Sequence, residues 1–259
     1  MKAKKSYGQH FLNQPDLARK IANSLNLENG LNKVLEVGPG TGKLTTFLVE
    51  NDYDLKVVEA DPDMVEYIQH NFPQLNGNII HRNFLKVDLE EVFQENSFAL
   101  IGNFPYNISS QILFKMVDNR HLIPEMVGMF QKEVAERVVA PPGNKTYGVI
   151  SVLVQAYYEG KYLFSVDKRC FTPPPKVQSA VIRLVRKENV DLGCNERLFK
   201  SIVKASFGQR RKMLRNSLKP FVKDNDLLAD EKFTLRPEQV SLEGFIELTK
   251  FIEANDPDA

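Results

Sequence analysis

Short runs of β-branched residues alternate with helical stretches through the first two thirds of this 259-residue chain. Strands are predicted over residues 34–37, 55–59, 78–81, 98–101 and 126–130, and sequence of helical character follows each of them. A chain with this alternation returns to the same sheet through a helix after every strand, so the pattern predicts an α/β fold built on a parallel sheet. A last strand is expected over residues 177–186, where the sheet ends.

Beyond residue 187 the β-branched runs disappear. Apolar residues recur there at helical spacing, as at Leu198, Ile202 and Ala205. The sequence therefore predicts two domains, an α/β domain over residues 1–186 and a small all-helical domain over residues 187–259.

Charge is unevenly distributed along the chain. The formal net charge is only +1, and this overall balance gives no indication of a nucleic-acid partner. Residues 197–219, however, hold eight basic and no acidic residues, whereas residues 224–259 hold three basic and ten acidic ones. The basic segment is therefore a candidate surface for RNA phosphates. Lys200, Lys204 and Arg211 are four and seven residues apart, which predicts that they share one face of a helix. The candidate RNA-binding residues of the segment are Lys200, Lys204, Arg210, Arg211, Lys212 and Arg215.

The sequence has none of the patterns typical of secreted, zinc-binding or membrane-spanning proteins. Its two cysteines, Cys170 and Cys194, lack the paired spacing of a zinc site and are too few for a disulfide framework, so no metal site is predicted. No apolar segment follows the lysines near the start, and the most apolar stretch, residues 149–156, is far shorter than the roughly 20 residues of a transmembrane helix. We expect a cytoplasmic protein.

A glycine-rich turn follows the first predicted strand. The sequence L-E-V-G-P-G-T-G, residues 35–42, leads from that strand into a helix, an arrangement that lets a ligand approach the backbone. Glu59 ends the next strand, where a carboxylate can accept the ribose hydroxyls of a nucleoside. Lys43 stands where a dinucleotide-binding motif has its third glycine. The loop is instead similar to the first motif of S-adenosylmethionine methyltransferases.

A second motif, N-F-P-Y-N at residues 103–107, follows the fourth predicted strand. It is similar to the Asn/Asp-x-Pro-Tyr motif of enzymes that methylate an amino nitrogen conjugated to a planar group. Such a nitrogen attacks a methylsulfonium poorly unless acceptors hold its N–H groups and orient its lone pair. The predicted acceptors are the side-chain oxygen of Asn103 and the carbonyl of Pro105, and the Tyr106 ring is expected to stack on the base.

Phe171 stands before a threonine and a run of three prolines, residues 173–175. Prolines stiffen the backbone, so this segment is predicted to hold the Phe171 ring against the second face of a flipped base. A buried core phenylalanine is the alternative that the sequence leaves open.

Five segments follow one another in order: Q-H-F-L at 9–12, E-V-G-P-G-T-G at 36–42, N-F-P-Y-N-I-S-S at 103–110, F-T-P-P-P-K-V-Q-S-A-V at 171–181 and S-F-G-Q-R-R-K-M-L-R-N-S-L at 206–218. Together they closely resemble the KsgA/RsmA/Dim1 family of ribosomal RNA adenine dimethyltransferases. The resemblance covers nearly the whole chain. It implies a Rossmann-like S-adenosylmethionine-dependent methyltransferase fold with a small, RNA-binding, all-helical C-terminal domain.

The resemblance also implies an activity and a partner. The family dimethylates two adjacent adenosines in the hairpin near the 3′ end of small-subunit rRNA, within a pre-30S particle during ribosome biogenesis, and a monomer is expected. The implied cofactor-binding residues are His10, Leu12, Gly38, Gly40, Glu59, Asn83 and Asn103. The implied catalytic residues are Asn103, Pro105, Tyr106 and Phe171.

Two residues depart from the family pattern. His10 replaces the usual asparagine of the amino-terminal motif, and Asn83 takes the place of the acid that commonly receives the adenine amine of the cofactor. An amide oxygen still accepts that hydrogen bond but without the assistance of a charge. We expect these two departures to change the affinity for the cofactor.

Other functions remain open on the same motifs. A large-subunit rRNA adenine methyltransferase of the macrolide-resistance type shares the glycine, N-x-P-Y and proline-rich elements, but the segment at 206–218 favours the small-subunit enzyme. A glutamine-directed protein methyltransferase would have no need of the basic segment. A ribosome-assembly factor that binds RNA without catalysis is disfavoured because Glu59, Asn103 and Tyr106 are all present.

Overall fold

The structure is a computed structural model that describes residue 4 and residues 8–255. The outer ends of both predicted domains, together with Lys2 and Lys5 of the amino-terminal lysine group, lie outside the described residues. Within the described part of the chain, no helix is both long and apolar enough to cross a lipid bilayer.

The chain divides into two compact units. The first runs to Ala135 and resumes over Glu159–Arg186, and the second comprises Glu136–Tyr158 together with the residues from Lys187 onward. The break after Arg186 lies where the sequence places a domain boundary. The structure differs in grouping Glu136–Tyr158 with the carboxyl-terminal residues, because this segment contains a helix whose neighbours are helices of the second unit.

Nine strands are described in the chain. In chain order they are β1 (Phe11–Leu12), β2 (Lys33–Val37), β3 (Asp54–Glu59), β4 (Ile79–His81), β5 (Ala99–Asn103), β6 (Glu125–Gln131), β7 (Tyr158–Val166), β8 (Phe171–Thr172) and β9 (Ser179–Arg186). The described α-helices are α1 (Pro15–Ala22), α2 (Thr45–Leu48), α3 (Pro62–Asn71), α4 (Leu89–Val92), α5 (Ser109–Asp118), α6 (Lys132–Val138), α7 (Val149–Gln155), α8 (Glu196–Gly208), α9 (Leu214–Ser217) and α10 (Leu242–Asn255). Short 3₁₀ turns connect several of them.

Seven of the strands form one mixed sheet in the order β4-β3-β2-β5-β6-β9-β7. Strands β2 to β6 pair in parallel and lie within two residues of the five predicted strands, so that part of the prediction is confirmed. The expectation of a wholly parallel sheet is wrong for the last strand, because β9 runs antiparallel to β6. Helices α6 and α7 and strand β7 lie between β6 and β9 in the chain, and β7 and β9 are joined without an intervening α-helix.

The sheet reverses its winding at β2, which has β3 on one side and β5 on the other. In such sheets the carboxyl ends of the strands form a crevice at the reversal point. Here that edge carries Gly38 after β2, Glu59 at the end of β3 and Asn103 at the end of β5. Helix α3 begins just beyond Glu59, where the Asp61 carboxylate accepts a hydrogen bond from the Asp63 amide at 3.1 Å.

A separate two-stranded antiparallel sheet joins β1 to β8, with Leu12 opposite Phe171. Both side chains enter the hydrophobic core of the first unit beside Ile21 and Val166, and only 2% of the Phe171 surface is exposed. The sequence predicts that the Phe171 ring clamps a flipped base. The structure differs, because strand pairing turns the ring inward and leaves it no free face; this is the core position that the sequence kept as its alternative.

We expect Phe171→Ala to lower the free energy of unfolding by about 3–5 kcal/mol, the usual cost of removing a buried aromatic ring. Phe171→Leu fills more of the cavity and should cost clearly less. Denaturant titration of both variants measures this. Unchanged stability of Phe171→Ala, combined with accumulation of a monomethylated product, would return the ring to the target base.

Candidate active site

A single cavity of the first unit brings together the segments that the sequence analysis singles out. The glycine loop, the ends of β3 and β5 and the residues around β1 form its walls. All seven predicted cofactor-binding residues line it, namely His10, Leu12, Gly38, Gly40, Glu59, Asn83 and Asn103. Pro105 and Tyr106 line it as well, whereas Phe171 does not.

The glycine loop leaves room for a ligand at the backbone. Gly38 has φ +67°, and a Cβ built there would meet no atom within 4 Å, so the space above it is open. Gly40 is required for a different reason, since its φ is +55° and a Cβ would lie 2.9 Å from the Phe11 ring. The buried Thr41 hydroxyl has no hydrogen-bond partner among the described residues. An open backbone approach and an unsatisfied buried hydroxyl are what a bound polar ligand would use.

Glu59 ties this loop to the start of α3. Its Oε2 accepts a hydrogen bond from the Gly40 amide at 3.2 Å, and its Oε1 accepts from the amides of Ala60 and Asp61 at 2.8 and 2.9 Å. Burial raises the pKa of Glu59, and the three backbone donors act against that increase. A carboxylate has about four lone-pair directions, so one direction on Oε2 remains for a ligand hydroxyl. The sequence predicts that Glu59 accepts both ribose hydroxyls; with these backbone bonds in place it has room for one.

Glu36 is a second buried acid in the same cavity, and the sequence analysis assigns it no function. Its side chain is 1% exposed, and the Thr45 hydroxyl donates to its Oε2 at 2.7 Å. Burial, with a smaller contribution from the nearby Glu59, raises the pKa of Glu36 to about 8. In the sequence, Glu36 could have been noticed as the acid at the start of the E-V-G-P-G-T-G motif.

The Asn103 amide is held in one orientation. Its Nδ2 donates to the backbone carbonyl of His10 at 2.8 Å, and no described residue donates to its Oδ1. The ring of the next residue, Phe104, packs over Gly128, where a Cβ would lie 2.4 Å from it. The N-F-P-Y motif is thereby anchored in the sheet, with the Asn103 oxygen left as an acceptor on the cavity side.

Pro105 is less available than the sequence predicts. Its carbonyl accepts hydrogen bonds from the Ile108 amide and the Ser109 hydroxyl, each at 3.2 Å. Both lone pairs of the carbonyl are therefore engaged, although by long bonds. A further donor would compete with the Ser109 hydroxyl, which is free to rotate.

Tyr106 already has a stacking partner. The His10 ring lies against it with centroids 5.5 Å apart and planes 26° apart, and its phenol hydrogen-bonds to Ser179 Oγ. Burial raises the pKa of Tyr106, opposed by that hydrogen bond. The His10 Nδ1 lies 2.9 Å from the Pro173 carbonyl, so this nitrogen carries the proton. The residue that replaces the family's asparagine thus covers one face of the tyrosine.

Asn83, the second departure, is partly committed to the backbone. Its side-chain oxygen accepts a hydrogen bond from the Leu85 amide at 3.0 Å and caps a short 3₁₀ turn. An amide oxygen has two lone pairs, so one remains for an adenine amine.

The amino-terminal segment is fastened beside the cavity by contacts that the sequence analysis missed. Lys4 Nζ lies 2.7 Å from an Asp61 oxygen and 2.8 Å from Asp63, and Gln9 donates to the other Asp61 oxygen at 2.8 Å. Burial alone would raise the pKa of Asp61, but the bonds from Lys4 and Gln9 lower it overall.

The predicted RNA-binding residues lie in the second unit. Lys200 and Lys204 share a face of α8, but the helix ends at Gly208, so the predicted continuation of that helical face to Arg211 is wrong. Arg210 is half-buried, with its Nε 3.9 Å from Glu238 and its Nη2 donating to the Asn144 carbonyl at 3.4 Å. The exposed members of the predicted set are Lys204, Arg211, Lys212 and Arg215.

We expect Glu59→Ala to weaken S-adenosylmethionine binding by about 1.5–3 kcal/mol, since hydrogen bonds to a charged group have this value. Isothermal titration calorimetry measures the affinity, and a thermal melt measures the separate cost of releasing three backbone donors. Glu66→Gln on the exposed face of α3 is the control. Unchanged affinity would show that Glu59 does not contact the ligand.

Comparison with known proteins gives a consistent result. Residues 1–245 match the family model for ribosomal RNA adenine dimethylase. The chain is 54% identical over 255 residues to a ribosomal RNA small subunit methyltransferase A from Phocaeicola vulgatus, covering 98% of this chain and 91% of the relative. It is 51% identical over 255 residues to the protein of the same name from Flavobacterium johnsoniae, covering 98% and 97%.

Two solved structures share the architecture. A dimethyladenosine transferase from Plasmodium falciparum superposes with a TM-score of 0.78 at 24% identity, covering 95% of this chain and 98% of its own. The 23S rRNA methyltransferase ErmE superposes with a TM-score of 0.67 at 25% identity, covering 93% and 99%.

Proposed function

The chain belongs to the ribosomal RNA adenine dimethylase family, and from this premise we propose that it dimethylates the N6 amines of two adjacent adenosines in the 3′-terminal hairpin of small-subunit rRNA. The methyl donor is S-adenosylmethionine. The observation that carries the proposed chemistry is the fixed Asn103 amide, whose oxygen borders the same cavity as the glycine loop.

The small-subunit assignment is favoured over the large-subunit alternative. The relatives that share about half of this chain's residues are named for the small subunit, whereas the 23S rRNA enzyme shares a quarter. The retained Glu59 and Asn103 also oppose a purely RNA-binding assembly factor.

S-adenosylmethionine supplies a methyl group activated on a positively charged sulfur. Residues of the chain that would hold it are Gly38 and Gly40 through their backbone, Glu59 at the ribose, Asn83 at the adenine amine, and His10 and Leu12 from the amino-terminal segment. Asn103 faces the target amine. Its Oδ1 accepts an N–H of that amine and orients the nitrogen lone pair, and Tyr106 positions the base by stacking.

No general base is required. Once methylated, the nitrogen is cationic and releases its proton readily to solvent. Catalysis then rests on orientation and on the electrostatics of the cavity, in agreement with a site in which the described acceptors are held by backbone contacts.

We further propose that the enzyme acts in the cytoplasm, as a monomer, on a pre-30S particle during rRNA processing. The exposed basic residues Arg211, Lys212 and Arg215, with Lys204 on α8, support an rRNA phosphate contact. Arg210 is left out of this contact because it is half-buried and already contacts Glu238 and Asn144.

Asn103→Ala is expected to lower the rate of methyl transfer by about 100-fold, the usual cost of removing one preorganised electrostatic contact, with smaller effects on substrate binding. Single-turnover reactions on undermethylated small subunits measure this. Asn71→Ala, which removes a surface amide on α3, is the matched control. A normal rate in Asn103→Ala would contradict the proposed role.

Replacing Arg211 and Lys212 together by Ala should weaken binding to the small subunit and reduce the slope of log affinity against log salt by about 1.4–1.8, corresponding to two phosphate contacts. Binding of S-adenosylmethionine should not change. Lys232→Ala serves as the control because this lysine pairs with Asp230. Equal loss of binding at every salt concentration would show that the pair has a structural role.

A further inference from the structure

Two carboxyl groups border the methyl-donor cavity, and they differ in the hydrogen bonds that they accept. Glu36 lies near the end of β2 and Glu59 at the end of β3, and only 1% and 7% of their surfaces are exposed. Glu59 receives three backbone N–H donors, which can stabilise a negative charge. Glu36 has donors from one residue only, Thr45, whose hydroxyl lies 2.7 Å from Oε2 and whose backbone N–H contributes less.

A buried carboxylate whose neutral donors come from a single residue, and which has a negative charge beside it, is unstable as an anion. Glu36 therefore carries a proton at neutral pH, and Glu59 carries the charge. The pKa of Glu36, raised to about 8 by burial first and by Glu59 in addition, agrees with this geometry.

The other titratable groups on the cavity wall do not change that balance. Lys43 in the glycine loop and Arg82 after β4 are exposed, so solvent screens their charges. His10 and Tyr106 also line the cavity, and their rings stack on each other. Helix α2 contributes the Thr45 hydroxyl, and β3 contributes Glu59.

We propose that Glu36 releases its proton to solvent when a cationic sulfonium compound occupies the cavity and keeps it when a neutral thioether does. The inference rests on S-adenosylmethionine as the donor. A positive charge that enters a poorly solvated cavity stabilises the ionised form of every carboxyl group around it. Glu36 is the carboxyl group that is still protonated and can therefore ionise.

This exchange would make Glu36 a specificity-determining residue. S-adenosylmethionine and its product S-adenosylhomocysteine differ by one methyl group and one positive charge. After methyl transfer the charge is gone, Glu36 takes a proton back, and the product loses the attraction that held the donor. The enzyme would thereby prefer donor over product at one common site.

The test measures the number of protons released on binding. Isothermal titration calorimetry is carried out at pH 7.2 in phosphate and in Tris, whose ionisation enthalpies differ. Wild type, Glu36→Gln and the control Glu66→Gln are each titrated with S-adenosylmethionine and with S-adenosylhomocysteine. We expect wild type and control to release more protons than Glu36→Gln on binding the donor, and all three to behave alike with the product. The amino group of the donor contributes equally to each variant, so the difference isolates Glu36.

Affinities provide a second readout. At pH 8.5 the preference for donor over product should be about tenfold larger in wild type than in Glu36→Gln, equivalent to one pKa unit of coupling. Equal proton release and equal preference in both proteins would overturn the inference. Failure of wild type to bind S-adenosylmethionine at all would instead overturn the proposed function.

A measurement without ligand keeps the inference testable if Glu36→Gln binds poorly. Because the pKa of Glu36 is raised in the folded state, the unfolded state ionises first as the pH increases, and wild type loses stability between about pH 4.5 and 8. Gln does not ionise. The melting temperature of Glu36→Gln relative to wild type should therefore rise from pH 5 to pH 8, and a constant difference would contradict a protonated Glu36.

Discussion

The pairing of β1 with β8 holds the active site together, because it joins two segments that are about 160 residues apart in sequence. Leu12 and Phe171 lie opposite each other and anchor the pair in the core of the first unit. With this anchor in place, the backbone carbonyl of His10 is positioned to accept the hydrogen bond from Asn103 Nδ2. The acceptor that we propose for the target amine is thus oriented by a backbone atom whose position depends on hydrophobic burial, so a core substitution at Phe171 should affect the proposed chemistry as well as stability.

Three acids lie near the carboxyl edge of the sheet, and the interactions that offset the free-energy cost of their burial differ. Glu59 is satisfied by backbone amides, and Asp61 by Lys4, Gln9 and the first turn of α3. Glu36 has only Thr45 as a hydrogen-bond partner, and burial raises its pKa to about 8. In our proposal, a positive charge that enters the cavity favours ionisation of Glu36, which suits a sulfonium donor better than a neutral product.

The sequence was sufficient to predict the parallel strands and the cavity edge, because β-branched runs, a glycine loop and Asn103 mark strand ends directly. It could not predict the antiparallel β9 or the inward position of Phe171, since both depend on which distant segments pair. It also continued the helical face of α8 to Arg211, although the chain leaves the helix at Gly208. The role of Glu36 was hidden because its significance comes from burial beside Glu59, and neither burial nor that proximity can be deduced from one motif.

Dimethylation of a single amine places different demands on the two acceptors of the N-F-P-Y motif. An unmodified adenine amine has two N–H groups, whereas the monomethylated amine has one. Asn103 Oδ1 is held ready for one of them by the bond from Nδ2 to His10. The Pro105 carbonyl already accepts two long bonds, so in the proposed reaction it takes the second N–H only by displacing the Ser109 hydroxyl. At the second methylation Asn103 alone satisfies the remaining N–H, so the Ser109 bond stays in place. One fixed acceptor and one exchangeable acceptor can therefore orient the nitrogen lone pair at both steps with no change in the backbone.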